Sequence, residues 1–299
     1  MTPNSKPIIF GEALYDCFDS GERILGGAPF NIAWHLQALG DAPYFISKVG
    51  QDPLGEQIID QACQWGMTTE SLQTDPEHPT GQVTISIIDG EPQYDICENS
   101  AYDFIDEVTQ ANCPTKGLFY HGSLALRNPH ARQTFETLIN KGQYDLFMDV
   151  NLRDPWWQKQ SILQWIAQAH WVKINHHELH RLGFSDPTIQ NAMQDFQQRF
   201  PNTQLIVTRG EAGTIVLTET GQFFEHTPTK INQIIDTVGA GDAFTAVFIH
   251  GLICNWSIEK TLAIAQSFAS QIIGIRGAIS TDPQFYKTFQ TKHINNHHS

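Results

Sequence analysis

A chain of 299 residues that is 40% hydrophobic can build a sizeable packed core and is too apolar to be disordered as a whole. Its net charge of −14 argues against nucleic acid or an anionic membrane as the main partner, because both are bound through basic surface. The five cysteines lack C-x-x-C or zinc-type spacing and read as free thiols. With no basic, apolar leader at the N-terminus and no apolar stretch of spanning length, a soluble cytoplasmic protein is expected.

In chain order, "KPIIF" suits a buried first strand. In "APFNIAWHLQAL", Phe30, Ala33, Trp34 and Leu36 recur at helical spacing, and Gly40 supplies a stop. "PYFISKVG" reads as a strand and "PLGEQIIDQACQWG" as a helix ending at Gly66. The pattern then changes. Val83, Ile85 and Ile87 alternate with polar residues ahead of Asp89-Gly90, a hairpin-turn signal, which predicts a half-exposed antiparallel pair. From about residue 117 the strands "GLFYHG", "DLFMDV", "HWVKI" and "QLIVT" alternate with helical stretches. That alternation predicts an α/β fold with a mostly parallel sheet, the hairpin being an appendage.

Ligands of open α/β sheets bind beyond the carboxyl ends of the strands, and here four strand ends are polar. Asp149, Asn151 and Arg153 follow "DLFMDV", Asn175 and Glu178 follow "HWVKI", and Thr208, Gly210 and Gly213 follow "QLIV". The fourth is "DTVGAGDAF", Asp236 to Phe244, between "INQII" and "TAVFIHGLI". Any one of these is ordinary loop chemistry. Together they supply carboxylates, amides and glycines, the materials of a phosphate–metal site.

Successive small residues in "GAGD" let backbone N–H groups converge on an anion, and a helix N-terminus adds about half a positive charge. Such a cradle stabilises the charge that spreads over a phosphoryl group in transfer. On spacing alone Asp242 has two readings. It is either a helix cap worth about 1 kcal/mol or a general base for an attacking hydroxyl. No G-x-x-x-x-G-K-[ST] occurs, and "GGAPFN" is not G-x-G-x-x-G. "HHELH" departs from H-E-x-x-H and reads as an exposed helix start, and Trp156-Trp157 reads as packing or as sugar stacking.

Taken together, "GGAPFN", "DVNLR", N-x-x-E, "TRGEAG" and "DTVGAGDAF" resemble, in this order, the motifs of the ribokinase-like (PfkB) carbohydrate kinases. The resemblance runs from about Ile8 to Asp282, and "GEALYD", "HGSLAL" and "DVNLRDPWW" look most like bacterial fructokinases. It implies a Rossmann-like, mostly parallel sheet flanked by helices in one kinase domain, with a small β lid from about residues 12–25 and 82–100. It further implies transfer of the γ-phosphoryl group of ATP, with Mg²⁺, to a sugar hydroxyl, most simply D-fructose to fructose 6-phosphate. Ribose, 2-keto-3-deoxygluconate or a nucleoside are alternative acceptors, and a non-catalytic sugar- or nucleotide-binding regulator is the alternative of another class.

By the same resemblance Asp242 is the base, and Gly239, Ala240 and Gly241 form the anion hole. Asp16, Gly27 and Asn31 hold the sugar, while Arg153 either pairs with a phosphate or braces a carboxylate. Asn175 and Glu178 act near the phosphates through Mg²⁺ and its waters, and Thr208 and Gly210 line the nucleotide site. Asp236, Val238, Arg276 and Gly277 lie where a K⁺ ion would be held. Cys97 falls where relatives often carry an Arg before "SA", which disfavours a sugar acid. The lid implies a monomer or a homodimer formed through it.

Overall fold

The structure, a computed structural model, describes residues 6–88, 91–108, 113–228 and 234–294. The first half of the chain forms β1 (Ile8–Phe10), β2 (Leu14–Phe18), β3 (Arg23–Gly26), α1 (Ala28–Leu39), β4 (Tyr44–Gly50), α2 (Pro53–Gln64), β5 (Leu72–Asp75), β6 (Gly81–Ile88) and β7 (Glu91–Ile96). A 3-10 turn at Ala101–Phe104 leads to β8 (Lys116–His121), and a second at Ala125–Arg127 leads to α3 (Pro129–Lys141). There follow β9 (Gln143–Asp149), α4 (Lys159–Ile166), β10 (Trp171–Asn175), α5 (His176–Arg181), α6 (Ile189–Arg199) and β11 (Gln204–Thr208). After a 3-10 turn at Gly210–Ala212, the chain closes with β12 (Thr214–Leu217), β13 (Phe223–His226), α7 (Ala240–Ile253), α8 (Ile258–Ile272) and α9 (Pro283–His293).

The main sheet has the order β13-β12-β11-β10-β9-β8-β1-β4-β5. It is parallel from β11 to β5 and antiparallel at the β12–β13 edge. The expected mostly parallel sheet is therefore present. The antiparallel edge was not foreseen, since two four-residue strands carry too little periodicity to register.

Side chains alternate between two cores, as the period of a strand requires. Ile9 packs on the face covered by α1, α7 and α8 with Phe30, Trp34, Phe248 and Phe268. Ile8 and Phe10 pack on the opposite face with Phe135, Trp165 and Phe196. Each fully buried side chain of this size stabilises the fold by roughly 1.5–3 kcal/mol. Such strands, buried on both faces, read as the continuous apolar runs seen in the sequence. Helix α1 stops at Gly40, whose φ of 95° only glycine adopts readily. Helix α2 is opened by Asp52, whose side chain accepts from the N–H groups of Leu54 and Gly55.

A second sheet, of order β3-β2-β6-β7, stands apart from the first. Its β6–β7 pair is antiparallel, as the alternation predicted, while the Asp89-Gly90 turn lies outside the described residues. Strand β2 pairs in parallel with β6, setting Asp16 opposite Val83. Leu14, Val83, Ile85 and Ile96 form one apolar face that packs with Tyr102, Leu124 and Ala125. That contact holds the small sheet over one end of the large one. Among the described residues no helix is long and apolar enough to cross a membrane, and the five cysteines are free.

Candidate active site

A cavity of about 660 Å³ opens between the small sheet and the carboxyl ends of the main-sheet strands. Of the residues singled out in the sequence, Asp16, Gly27, Asn31 and Arg153 line it, as do Asn175, Glu178 and Thr208. Asp236, Val238, Gly239, Gly241, Asp242 and Gly277 complete one wall. Ala240, Gly210 and Arg276 stay outside this lining. Arg276 turns away and pairs with Glu22, tying its loop to the small sheet. Gly210 has a positive φ of 58° and serves the 3-10 turn that starts there.

The "GAGD" turn is the N-terminus of α7. Gly239 is its N-cap, with φ 77°, and no side chain caps the helix. A Cβ on Gly239 would come within 2.2 Å of Ala278, so glycine is required by both conformation and space. A Cβ on Gly241 would meet only Lys173 Nζ, at 3.5 Å. Protein packing therefore does not demand glycine at 241. What the missing side chain leaves is open space beside N–H groups that no side chain caps, which is how an anion cradle is built, although the Ala240 N–H donates to the Thr237 carbonyl at 3.4 Å.

Asp242 sits in the first turn of α7, yet none of its observed hydrogen bonds goes to that helix. Its Oδ2 accepts from Asn31 Nδ2 at 2.8 Å. The capping reading of Asp242 is thereby removed. Burial pushes its carboxyl above the ordinary range, and the nearby charge of Asp149 adds to the rise; the Asn31 hydrogen bond and the charges of Lys173 and Arg153 oppose it. Asn31 reaches Asp242 because Gly27 caps α1 and starts it beside the cavity. Asp16, from β2, is raised to about 6, first by burial and then by the charges of Asp242 and Asp236, with Arg153 opposing.

Two further groups, which sequence reasoning did not combine, shape the electrostatics. Lys173 Nζ donates to both carboxylate oxygens of Asp149, at 2.9 and 2.8 Å, and Thr245 Oγ1 donates to Asp149 Oδ2 at 3.1 Å. The pair is buried and sets an ammonium directly behind Gly241. A lysine inside the otherwise apolar strand "WVKIN" was the available signal. The other group is Glu12, 3% exposed, which lines the cavity two residues after β1.

Asn175 and Glu178 form a capping box on α5. Asn175 Oδ1 accepts from Glu178 N at 2.9 Å, and Glu178 Oε2 accepts from Asn175 N at 3.1 Å. Glu178 Oε1 accepts from Leu152 N at 2.9 Å and so braces the loop that carries Arg153. Burial raises the Glu178 carboxyl, and these backbone donors counter the rise. Both oxygens already serve the backbone, so this side chain suits contact with a hydrated ion better than direct ligation. Asp236 is similarly engaged: Oδ1 accepts from Val238 N at 3.0 Å and Oδ2 from Gly277 N at 3.1 Å.

The tryptophan pair lines a separate cavity of about 280 Å³. Trp157 donates to Asp154 at 2.7 Å, and Trp156 packs against the Arg127 guanidinium, 4.5 Å from its ring centroid. Arg127 also donates to the carbonyl of Cys97 at 2.6 Å. A cation thus approaches Cys97 from elsewhere in the chain, which local sequence could not show.

The pfkB family carbohydrate kinase model matches residues 17–284. A fructokinase of Salmonella typhimurium is 29% identical over 94% of this chain and 97% of its own length. A fructokinase of Xylella fastidiosa with bound ATP superposes with a TM-score of 0.83 at 21% identity, over 96% of this chain and 98% of that one. A fructokinase of Vibrio cholerae with bound fructose, ADP and calcium gives a TM-score of 0.78 at 22% identity, over 95% and 98% of the two chains. With a family model spanning most of the sequence and the fold shared from end to end, the chain belongs to the pfkB family of carbohydrate kinases.

Proposed function

We propose that this kinase transfers the γ-phosphoryl group of ATP to a hydroxyl of D-fructose, giving fructose 6-phosphate. The observation that carries the reading is the placement of Asp242. Its carboxylate is held by Asn31 from another helix, at the mouth of an uncapped helix N-terminus. A base beside an anion cradle is the arrangement that phosphoryl transfer to an alcohol needs. The fructokinase relatives support fructose as the acceptor.

In this mechanism the sugar lies between the small sheet and α1, with Asp16, Gly27 and Asn31 meeting its hydroxyls. Asp242 accepts the proton of the attacking hydroxyl as that oxygen bonds to the γ-phosphorus and the bond from this phosphorus to the bridging oxygen of ADP breaks. The N–H groups at Gly239, Ala240 and Gly241, with Lys173 behind them, stabilise the charge on the moving phosphoryl oxygens. The resulting ADP leaves along the β10–β11 side, where Asn175 and Thr208 line the cavity and Gly210 starts the adjoining turn. Mg²⁺, held through water near Glu178, would offset phosphate charge. A monovalent cation such as K⁺ at the 236–238 and 276–277 loops would use backbone carbonyls with the Asp236 carboxylate. Residues 12–25 and 82–100 act as the lid that shields the sugar from water.

An ADP-release assay with fructose, ribose, 2-keto-3-deoxygluconate and adenosine tests the reading. Turnover should be highest with fructose. Silence with fructose and turnover with another acceptor overturns the substrate. Silence with the whole panel favours a sugar- or nucleotide-binding regulator.

A further inference from the structure

Glu12 has no part in the proton transfer above, yet it lines the same cavity as Asp16, Asn31 and Asp242. Its Oε2 is buried without a hydrogen-bond partner, and so is Oδ1 of Asn31. Unpaired buried acceptors are costly, and the two residues that carry them both line this cavity. The fields that reach Glu12 come from Asp242 on α7, Arg153 after β9 and Arg127 after β8. The phenols of Tyr102 and of Tyr120 on β8 also feel its charge.

Of the cations, Arg127 is committed to both oxygens of Asp103, at 2.7 Å each, and Lys173 to Asp149. Arg153 lines the cavity and forms no ion pair among the described residues. Burial above all, with the Asp242 charge adding to it, lifts the Glu12 carboxyl to about 7.

We propose that Glu12 is a specificity-determining residue that makes this cavity select a neutral polyol and reject a sugar acid. The inference rests on the sugar-kinase reading and sharpens its substrate class. A carboxylate-bearing acceptor would enter a cavity lined by the carboxyls of Glu12, Asp16 and Asp242, where, of the two described lining cations, Lys173 is paired with Asp149 and Arg153 remains. Like charges some 6 Å apart at an effective dielectric of about 20 weaken binding on the order of tenfold to a hundredfold. Because Glu12 changes charge near neutrality, rejection of the acid grows as pH rises through about 7.

The test compares wild type with Glu12→Gln at pH 6 and pH 8, measuring KM for fructose and the inhibition constant of D-gluconate against fructose. In wild type the inhibition constant, relative to KM, should rise about tenfold between the two pH values. In Glu12→Gln the rise should be clearly smaller than in wild type, what remains being due to Asp16, which changes charge in the same range. Asp16, raised to about 6, is present in both proteins, so the difference isolates Glu12. An unchanged ratio and pH dependence in the variant overturns the proposal.

Melting curves give a second reading. A carboxyl whose folded pKa, about 7, exceeds its unfolded value of 4.5 holds its proton longer in the folded state. Stability is therefore lost as pH rises from 4.5 through 7. Glu12→Gln should melt above wild type at pH 8 and level with it below pH 4.5; equal melting at both overturns the charge change. If no sugar is phosphorylated, the kinase reading fails, and the melting shifts induced by fructose and by gluconate still report the discrimination.

Discussion

The N-terminus of α5 is closed by its own residues, whereas that of α7 is left open, although both face one cavity. In α5 the N-cap Asn175 and the third helical residue, Glu178, exchange hydrogen bonds with each other's backbone. In α7 the N-cap is a bare glycine, and the carboxylate at the third helical position, Asp242, is directed to Asn31 on another element. The same position in two first turns thus carries an acid with opposite duties. One accepts from the backbone of its own helix and of a neighbouring loop, and the other from a side chain of α1. A helix that forgoes its cap gives up about 1 kcal/mol, and the open N–H groups are what it retains for a ligand.

Breaking the open end should have the largest effect. Asp242→Asn should lower kcat by about 10²–10⁴, with ATP binding by calorimetry largely kept. Retained turnover would return this residue to a structural role. Asn31→Ala is expected to lower kcat by about tenfold, because the base loses the partner that orients it. The pH profile supplies the sharper readout. The Asn31 hydrogen bond lowers the Asp242 pKa, so its removal raises that pKa and moves the acid limb of kcat to higher pH. A limb that stays in place would mean that Asn31 does not act through Asp242. Disturbing the closed end should do least to the chemistry. Asn175→Ala should cost about 1 kcal/mol of stability in chemical denaturation and lower kcat far less than Asp242→Asn does. A collapse of kcat there would show that the α5 box serves the reaction directly.

The contrast also marks how far the sequence could be read. Parallel strands buried on both faces announce themselves as apolar runs, and their polar ends follow from the same pattern, so one wall of the cavity was legible. The capping box was legible too, since Asn175-x-x-Glu178 has the spacing of one, but metal chemistry was the role expected there. Lys173 and Asp149 lie on neighbouring strands, and only their parallel register brings them together. Glu12 is a lone acid two residues past a strand, and nothing local marks it as buried. Strands β2 and β3 carry no periodicity of their own, and only the family resemblance pointed to a β lid at about residues 12–25. The parallel pairing of β2 with β6 joins segments more than sixty residues apart, and Arg127 reaches Cys97 from 30 residues away.

The central claim is that the open turn of α7 holds the phosphoryl group, and Gly241→Ala tests it most directly, with melting temperature and kcat measured on the same protein. The added methyl meets only Lys173 Nζ, at the ordinary contact distance of 3.5 Å, and alanine favours a helix over glycine by up to about 1 kcal/mol. The account predicts an unchanged or higher melting temperature together with a loss of turnover of about a hundredfold or more. Turnover kept within threefold, or a loss matched by a fall in melting temperature, would contradict it.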